Sequence, residues 1–143
     1  MTQTQPRPKQ ARALATRQKL LDATASSLCE IGYGSTTTTM VVKRAGVSQG
    51  ALFKHFGNKG QLIAEAMAHL LGKLFSDFRF AFSNAADEAD PLSRALPQLW
   101  SIFLKPELYA VVELYLAARN DEDLRLALAP ALAEHRKNIH QEA

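Results

Sequence analysis

From Thr16 onward, apolar side chains return every three or four positions and no segment alternates with period two, so the pattern predicts helices and no strands. Leu20, Leu21, Thr24, Leu28 and Ile31 share one helical face, and Gly32 supplies a stop. Tyr33 to Thr36 reads as a loop. Thr36 or Thr37 is placed to cap a second helix whose inward face is Val41, Val42 and Ala45. Gly46 can take the positive φ at which that helix stops, and Ser48 can accept backbone N–H bonds where the next begins. Val47 plugs the small core beneath the turn. The third helix, Ser48 to about His55, turns Leu52 and Phe56 inward and leaves Gln49, Lys54 and His55 outside. Glycine turn, cap and short amphipathic helix in succession are the layout of a helix-turn-helix.

Gly57 to Gly60 interrupts the periodicity, with Asn58 suited to cap the next helix. That helix is long, predicted from about Lys59 to Phe82, with Leu62, Ala66, Met67, Leu70, Leu71, Leu74, Phe75, Phe78 and Phe82 as its apolar stripe. Ser83 to Asp90 reads as an acidic loop. Pro91 opens a helix through Phe103, and Pro106 opens another to about Arg119 that carries Leu108, Val111, Val112, Leu114, Tyr115 and Leu116. Asn120 to Asp123 caps a last helix with acidic side chains at its positive end, and Pro130 is expected to interrupt or kink it on the way to His140. The expected fold is all-α: a flexible basic arm at 1–13, with no periodic apolar positions to bury, a three-helix head at 14–58 and an antiparallel helical bundle at 59–143.

Charge sharpens this division. Up to Gly60 there are nine Lys and Arg against Asp22 and Glu30, a net +7, whereas the remainder carries eight basic and twelve acidic residues, a net −4. A basic head on an acidic body is the arrangement expected when only the head meets a polyanion. The ordinary alternative is a solvated face, and the coincidence with the helix-turn-helix pattern favours nucleic acid. At 143 residues and 47% hydrophobic content, the chain suits one globular unit or two small ones, and it lacks the run of roughly 18 apolar residues a membrane helix needs. The basic N-terminus has no apolar segment behind it, so it does not read as a secretory signal and a cytoplasmic location is expected. Cys29 is the only cysteine, and its helical position beside Leu28 suggests a packed side chain, not a reactive thiol.

The run Gly32-Tyr33-x-x-Thr36-Thr37, Val41, Ala45-Gly46-Val47-Ser48-x-Gly50, Leu52-Phe53-x-His55-Phe56 and Lys59-x-x-Leu62 closely resembles the DNA-binding head of the TetR family of bacterial transcriptional regulators. Beyond Leu71 the likeness is architectural, to a helical body that senses ligands and dimerises. The resemblance implies that Gln49, Gly50, Ala51, Phe53 and Lys54 lie toward the base edges, Gly50 permitting close approach of the backbone. Gln can pair with adenine and Lys can reach guanine or a phosphate. It implies phosphate contacts for Thr37, Ser48, His55 and Lys59, several of them at helix starts where free N–H groups favour an anion.

The chain also departs from the family's pattern. Phe53 stands where Tyr is usual and so lacks a hydroxyl that could bond a phosphate. Thr38 replaces a usual apolar residue and Val42 a usual alanine, which suggests a repacked head core, and Met40 stands where a polar side chain is common. Arg7, Lys9 and Arg12 in the arm are candidates for the minor groove, against the alternative of a merely solvated tail. Family members are typically longer and dimerise through their last two helices. Here those helices are expected to be missing, and the segments after Pro106 are candidates for a substitute interface.

Met67, Leu71, Leu74, Phe75, Phe78, Trp100, Phe103, Tyr109 and Tyr115 are candidates for an apolar effector pocket, weighed against an ordinary bundle core. Glu65 and His69, four apart, read as a surface pair rather than metal ligands, since no third ligand is near. His135 and His140, five apart, splay on a helix. There is no nucleophile with a base, no glycine-rich phosphate cradle and no paired ligand motif, so no enzyme, cofactor or metal is expected. The expected function is a transcription regulator, most simply a repressor, that reads a palindromic double-stranded operator as a homodimer and is released by a small apolar or amphipathic effector. The alternative is a helical interaction module that pairs with full-length relatives without binding DNA tightly.

Overall fold

The computed structural model describes residues 8–83 and 90–141, and every regular element among them is an α-helix. In chain order these are α1 (Pro8–Ser35), α2 (Thr38–Ala45), α3 (Gln49–Phe56), α4 (Lys59–Ser83), α5 (Pro91–Phe103), α6 (Pro106–Ala118) and α7 (Glu122–Gln141). Met1 to Arg7 of the expected arm and most of the expected acidic loop lie outside the described residues. The rest of the arm corrects the expectation of an unstructured segment: α1 begins at Pro8, eight residues before Thr16. Its first turns stay exposed through Ala15. They continue the helix because proline suits a first helical position and Gln, Ala, Arg and Leu are good helix formers.

Two apolar clusters organise the molecule. Leu20, Leu21 and Ala23 of α1, Val41 of α2, Leu52 and Phe56 of α3 and Leu62 of α4 form the core under the head, with Val42, Ala45 and Val47 packed at its edge. Ala25 and Leu28 of α1 instead join Ile63, Ala66, Met67, Leu70, Leu71 and Leu74 of α4, Ala110, Val111 and Leu114 of α6, and Leu124 and Leu128 of α7. Both α1 and α4 therefore run through both clusters. The buried hydroxyls of Thr24 and Ser27 donate to the carbonyls of Leu20 and Ala23 at 2.7 and 2.8 Å, so α1 enters the core with both hydroxyls paired.

Helix ends follow the local chemistry. Thr37 Oγ1 accepts from the Met40 N–H at 3.2 Å, Ser48 Oγ from Ala51 at 3.1 Å, Asn58 Oδ1 from Gln61 at 2.9 Å and Asp121 Oδ1 from Leu124 at 2.9 Å. Gly46 closes α2 at φ 67°, ψ 36°, and Val47 N–H returns to the Val42 carbonyl at 3.1 Å. Thr36, the other candidate cap, is buried with its hydroxyl donating to the Gly32 carbonyl at 2.7 Å.

Gly32 breaks α1 at φ 76°, ψ 173°, a region open essentially to glycine alone. The break has a long-range partner. Tyr33 N–H donates to Glu113 Oε1 of α6 at 2.9 Å, and a β-carbon on Gly32 would lie 2.8 Å from that carboxylate. Lys59, opening α4, holds its ammonium 5.2 Å from the centre of the Tyr33 ring. An ion pair between Arg17 of α1 and Glu65 of α4 ties the same helices nearer the head, so Glu65 faces α1.

Three further expectations are corrected. Ile31 is 40% exposed, because the helical face it was assigned to ends at the Gly32 break. Pro130 does not interrupt α7, and it is exposed, so water can satisfy the carbonyl that the ring leaves without a partner. Phe78 and Phe82 are 46% and 44% exposed, since Ala81, 1% exposed, takes the buried position in the last turn of α4.

Gly32→Ala is expected to cost about 1–3 kcal/mol in urea unfolding, from the forbidden φ and the displaced Glu113 carboxylate. Gly34→Ala, with nothing near its β-position, should stay within about 0.5 kcal/mol of the parent. Ser48→Ala should cost about 1 kcal/mol and Ser48→Gly only a few tenths, read by the same unfolding midpoint.

Candidate nucleic-acid interface

The face of the head away from its core is built by α3 and the N-terminus of α2. Because Leu52 and Phe56 are drawn inside, helical geometry turns Gly50, Phe53 and Lys54 outward, and all three are exposed, Phe53 at 42%. Gln49 and Ala51 are half-buried at the start of the helix. At the ends of the same surface lie the exposed caps Thr37 and Ser48, and the half-buried His55 and Lys59. All nine residues expected to meet DNA thus belong to α3, its cap, or the adjoining starts of α2 and α4.

Their hydrogen bonding shows what remains for a ligand. Thr37 and Ser48 use an oxygen lone pair on their own helices, which leaves each hydroxyl hydrogen free to donate to a phosphate. The Gln49 amide donates to Thr38 Oγ1 at 2.8 Å, joining the first turns of α2 and α3. Sequence reasoning missed this bond: it treated Thr38 as a core substitution, and the signal was that both polar side chains open helices on either side of one turn. His55 stacks at a tilt beside Phe56, ring centroids 6.4 Å apart.

Gly50 is informative by what it lacks. Its φ is not in the left-handed region, and a β-carbon there would meet nothing closer than Ser48 Oγ at 4.0 Å. The chain's own packing therefore does not require glycine at this helical position, where it costs up to about 1 kcal/mol relative to alanine.

Basic side chains gather here as well. Lys43 and Arg44 end α2, and Lys54 and His55 end α3. Arg44 pairs with Glu30, whereas Lys54 stands exposed on the outer face.

A second concavity lies in the body. A cavity of about 690 Å³ opens among α4, α5, α6 and α7, lined by Leu71, Leu74, Phe75, Phe78, Arg79, Phe82, Ser83, Ile102, Leu108, Val111, His135 and Ile139. Four of the nine expected pocket residues, Leu71, Leu74, Phe75 and Phe78, are on its wall. The other five are not. Met67 is fully buried in the body core, and Trp100, Phe103, Tyr109 and Tyr115 point to solvent at 67%, 61%, 58% and 46% exposure. The pattern missed Ile102, Leu108, Val111 and Ile139 because aromatic identity, rather than the rotation of α5, α6 and α7, guided the choice. His135 meets Phe75 edge-on at 6.0 Å, which places an imidazole at a wall that is otherwise largely apolar.

Cys29 borders a more polar groove with His69, Lys73 and Glu107. Burial, then the Glu107 charge, pushes its thiol up from the ordinary value, which disfavours the thiolate. The Lys73 ammonium at 2.8 Å holds the Glu107 carboxyl below its usual range. No described helix is long and apolar enough to cross a membrane.

Comparison with known proteins agrees with this geometry. Residues 20–66 match the family described as bacterial regulatory proteins, tetR family. An uncharacterized HTH-type transcriptional regulator of Mycobacterium bovis is 32% identical over 137 residues, covering 96% of this chain and 70% of that protein. Among solved structures, a TetR-family regulator from Mesorhizobium loti superposes with a TM-score of 0.71 at 17% identity, over 84% of this chain and 61% of its own. The multidrug binding protein EbrR, complexed with imidazole, superposes at 0.62 with 24% identity, over 80% of this chain and 65% of its own. The head that Gly46 and Ser48 set up, its outward α3 and the helical body behind it are those of a DNA-binding regulator, and the chain belongs to the TetR family of bacterial transcriptional regulators.

Proposed function

We propose that this protein is a repressor that binds a palindromic operator as a homodimer through α3, and that a small apolar or amphipathic molecule in the body cavity releases it. Gly50 carries the reading: a glycine the fold does not use, exposed on the outer face of the head, suits close approach by a duplex. Gln49 and Lys54 supply base-edge hydrogen bonding and Ala51 and Phe53 apolar contact, while Thr37, Ser48, His55 and Lys59 meet phosphates. Two heads are needed because one has too few contacts, and they must stand about 34–36 Å apart to enter successive major grooves.

The effector half of the proposal is supported by the cavity. Its volume and largely apolar wall fit a drug-sized molecule, and EbrR, a structural relative, is a multidrug binding protein. An occupant would act by favouring one tilt of α4, which lines the cavity at Leu74 and carries Lys59 at its head end.

Selection from random duplex DNA, followed by titration at two salt concentrations, tests the reading. The expected result is a palindromic site with affinity falling steeply as salt rises; no selected sequence would overturn it. Gly50→Ala should raise or preserve stability while weakening operator binding at least tenfold, two effects of opposite sign that a structural role for the glycine would not produce. Gln49→Ala should relax preference at one operator position. Lys59→Ala should weaken binding to all sequences about equally and lower the salt slope by about one. Phe78→Trp, enlarging a side chain on the cavity wall, should abolish the thermal shift given by amphiphilic compounds that stabilise the parent, an effect worth about 2.7 kcal/mol at a hundredfold excess over Kd.

A further inference from the structure

The body cavity changes character along its length. At one end Leu71 and Leu74 of α4 and Val111 of α6 are buried, so the wall there is dry. Along α4 the wall continues through Phe75 and Phe78 to Arg79 and Ser83, which are exposed one turn apart on the same helix face. The helix rises about 12 Å between Leu71 and Arg79. Helix α7 adds the imidazole of His135, edge-on to the Phe75 ring at 6.0 Å. Arg79, Ser83 and His135 are the polar members of a wall that is otherwise hydrocarbon, and all three can donate hydrogen bonds.

We infer that the occupant is an anionic amphiphile, a carboxylic acid whose head is held by Arg79 and Ser83 beside His135 and whose hydrocarbon tail lies toward Leu71. The inference rests on the reading of this cavity as the effector site, and it assigns the charge and the orientation of what enters.

The charges around the wall select the sign. No carboxylate is among the described residues that line the cavity. The acids beside the lining residues of α4, α6 and α7 are engaged elsewhere: Asp77 with Lys105, Glu107 with Lys73 and Glu134 with Lys137. Helix α5 contains no acid. A cationic amphiphile would therefore meet a guanidinium and find no counter-ion on the wall.

A neutral, wholly apolar molecule fits the dry end but not the other. It would strip water from Arg79 and His135 without supplying an acceptor, which offsets part of the gain from burying its own surface. A carboxylate supplies that acceptor. The guanidinium is a planar fork of N–H donors, so Arg79 can keep a contact within the chain and still take both oxygens of the head.

Decanoate, decanol and decylamine share one tail length and differ in the charge of the head. Isothermal titration of the full chain should rank decanoate first, by about tenfold or more over each of the others. Arg79→Gln should weaken decanoate by about tenfold and leave decanol within about twofold, so that the ranking collapses. Arg79→Glu should reverse it in favour of decylamine. Arg119→Glu, the same change of charge at an exposed position off the wall, should leave the ranking as in the parent. Phe78→Trp should remove decanoate binding, which puts the tail inside the cavity. Helical circular dichroism checks the fold of each variant, and the parent ranking is itself decisive if one fails to fold.

No binding by the parent, equal affinity for the three compounds, a ranking that Arg79→Gln leaves unchanged, or decanoate binding that survives Phe78→Trp would overturn the inference. Decanoate bound with the expected ranking by a protein that selects no DNA sequence would uphold the occupant and sink the regulator reading. Release of a selected operator by decanol or decylamine in preference to decanoate would do the reverse.

Discussion

The burial of α1 and α4 in two cores at once is the constraint on which the other features rest. Leu20 and Leu21 of α1 and Leu62 of α4 close the small core under α3, while Ala25, Leu28, Ile63, Ala66 and Met67 belong to the body. A head of two short helices cannot bury enough surface to stand alone, and α2 and α3 have only eight residues each. They are held because two long helices pass beneath them. The direction in which α3 faces is accordingly fixed by residues in the body as much as by those in the head.

The junction at Tyr33 shows how specific that dependence is. Three elements converge there: the broken end of α1, Glu113 reaching from α6 to the Tyr33 N–H, and Lys59 at the start of α4 over the aromatic ring. Helix α6 also forms part of the cavity wall, through Leu108 and Val111. Rotation of α6 about its axis would therefore move the carboxylate that holds the end of α1, and α1 carries the underside of the head. Packed elements of this kind shift between discrete arrangements, so a displacement of α6 would be felt at the underside of the head.

The chain's local rules were plain in its sequence, and its long-range ones were not. Gly32, Gly46 and Gly57 all have positive φ, and each stands where the apolar periodicity breaks. Thr37, Ser48, Asn58 and Asp121 cap the helices they precede, and Pro91 and Pro106 open α5 and α6, because capping and proline geometry act within a single turn. The outward orientation of α3 followed from Leu52 and Phe56 alone. The rotation of α5 and α6 could not be read, since Trp100, Phe103 and Tyr109 are as apolar as the residues that line the cavity, and hydrophobicity does not say which side of a helix a neighbour will choose. Nor could Glu113 be linked to Tyr33 across eighty positions, or Gln49 to Thr38 across a turn whose exact crossing the sequence leaves free.

That last bond bears on how the head would discriminate. A glutamine on an exposed helix ordinarily samples many rotamers and must surrender that freedom, worth up to about 2 kcal/mol, when it engages a base. Here Thr38 has already immobilised the amide, so much of the entropic penalty is met during folding. The amide carries two N–H groups and a carbonyl oxygen, so with one N–H held by Thr38 the other N–H and Oε1 would remain to meet a base edge, already aimed by the fold of the head.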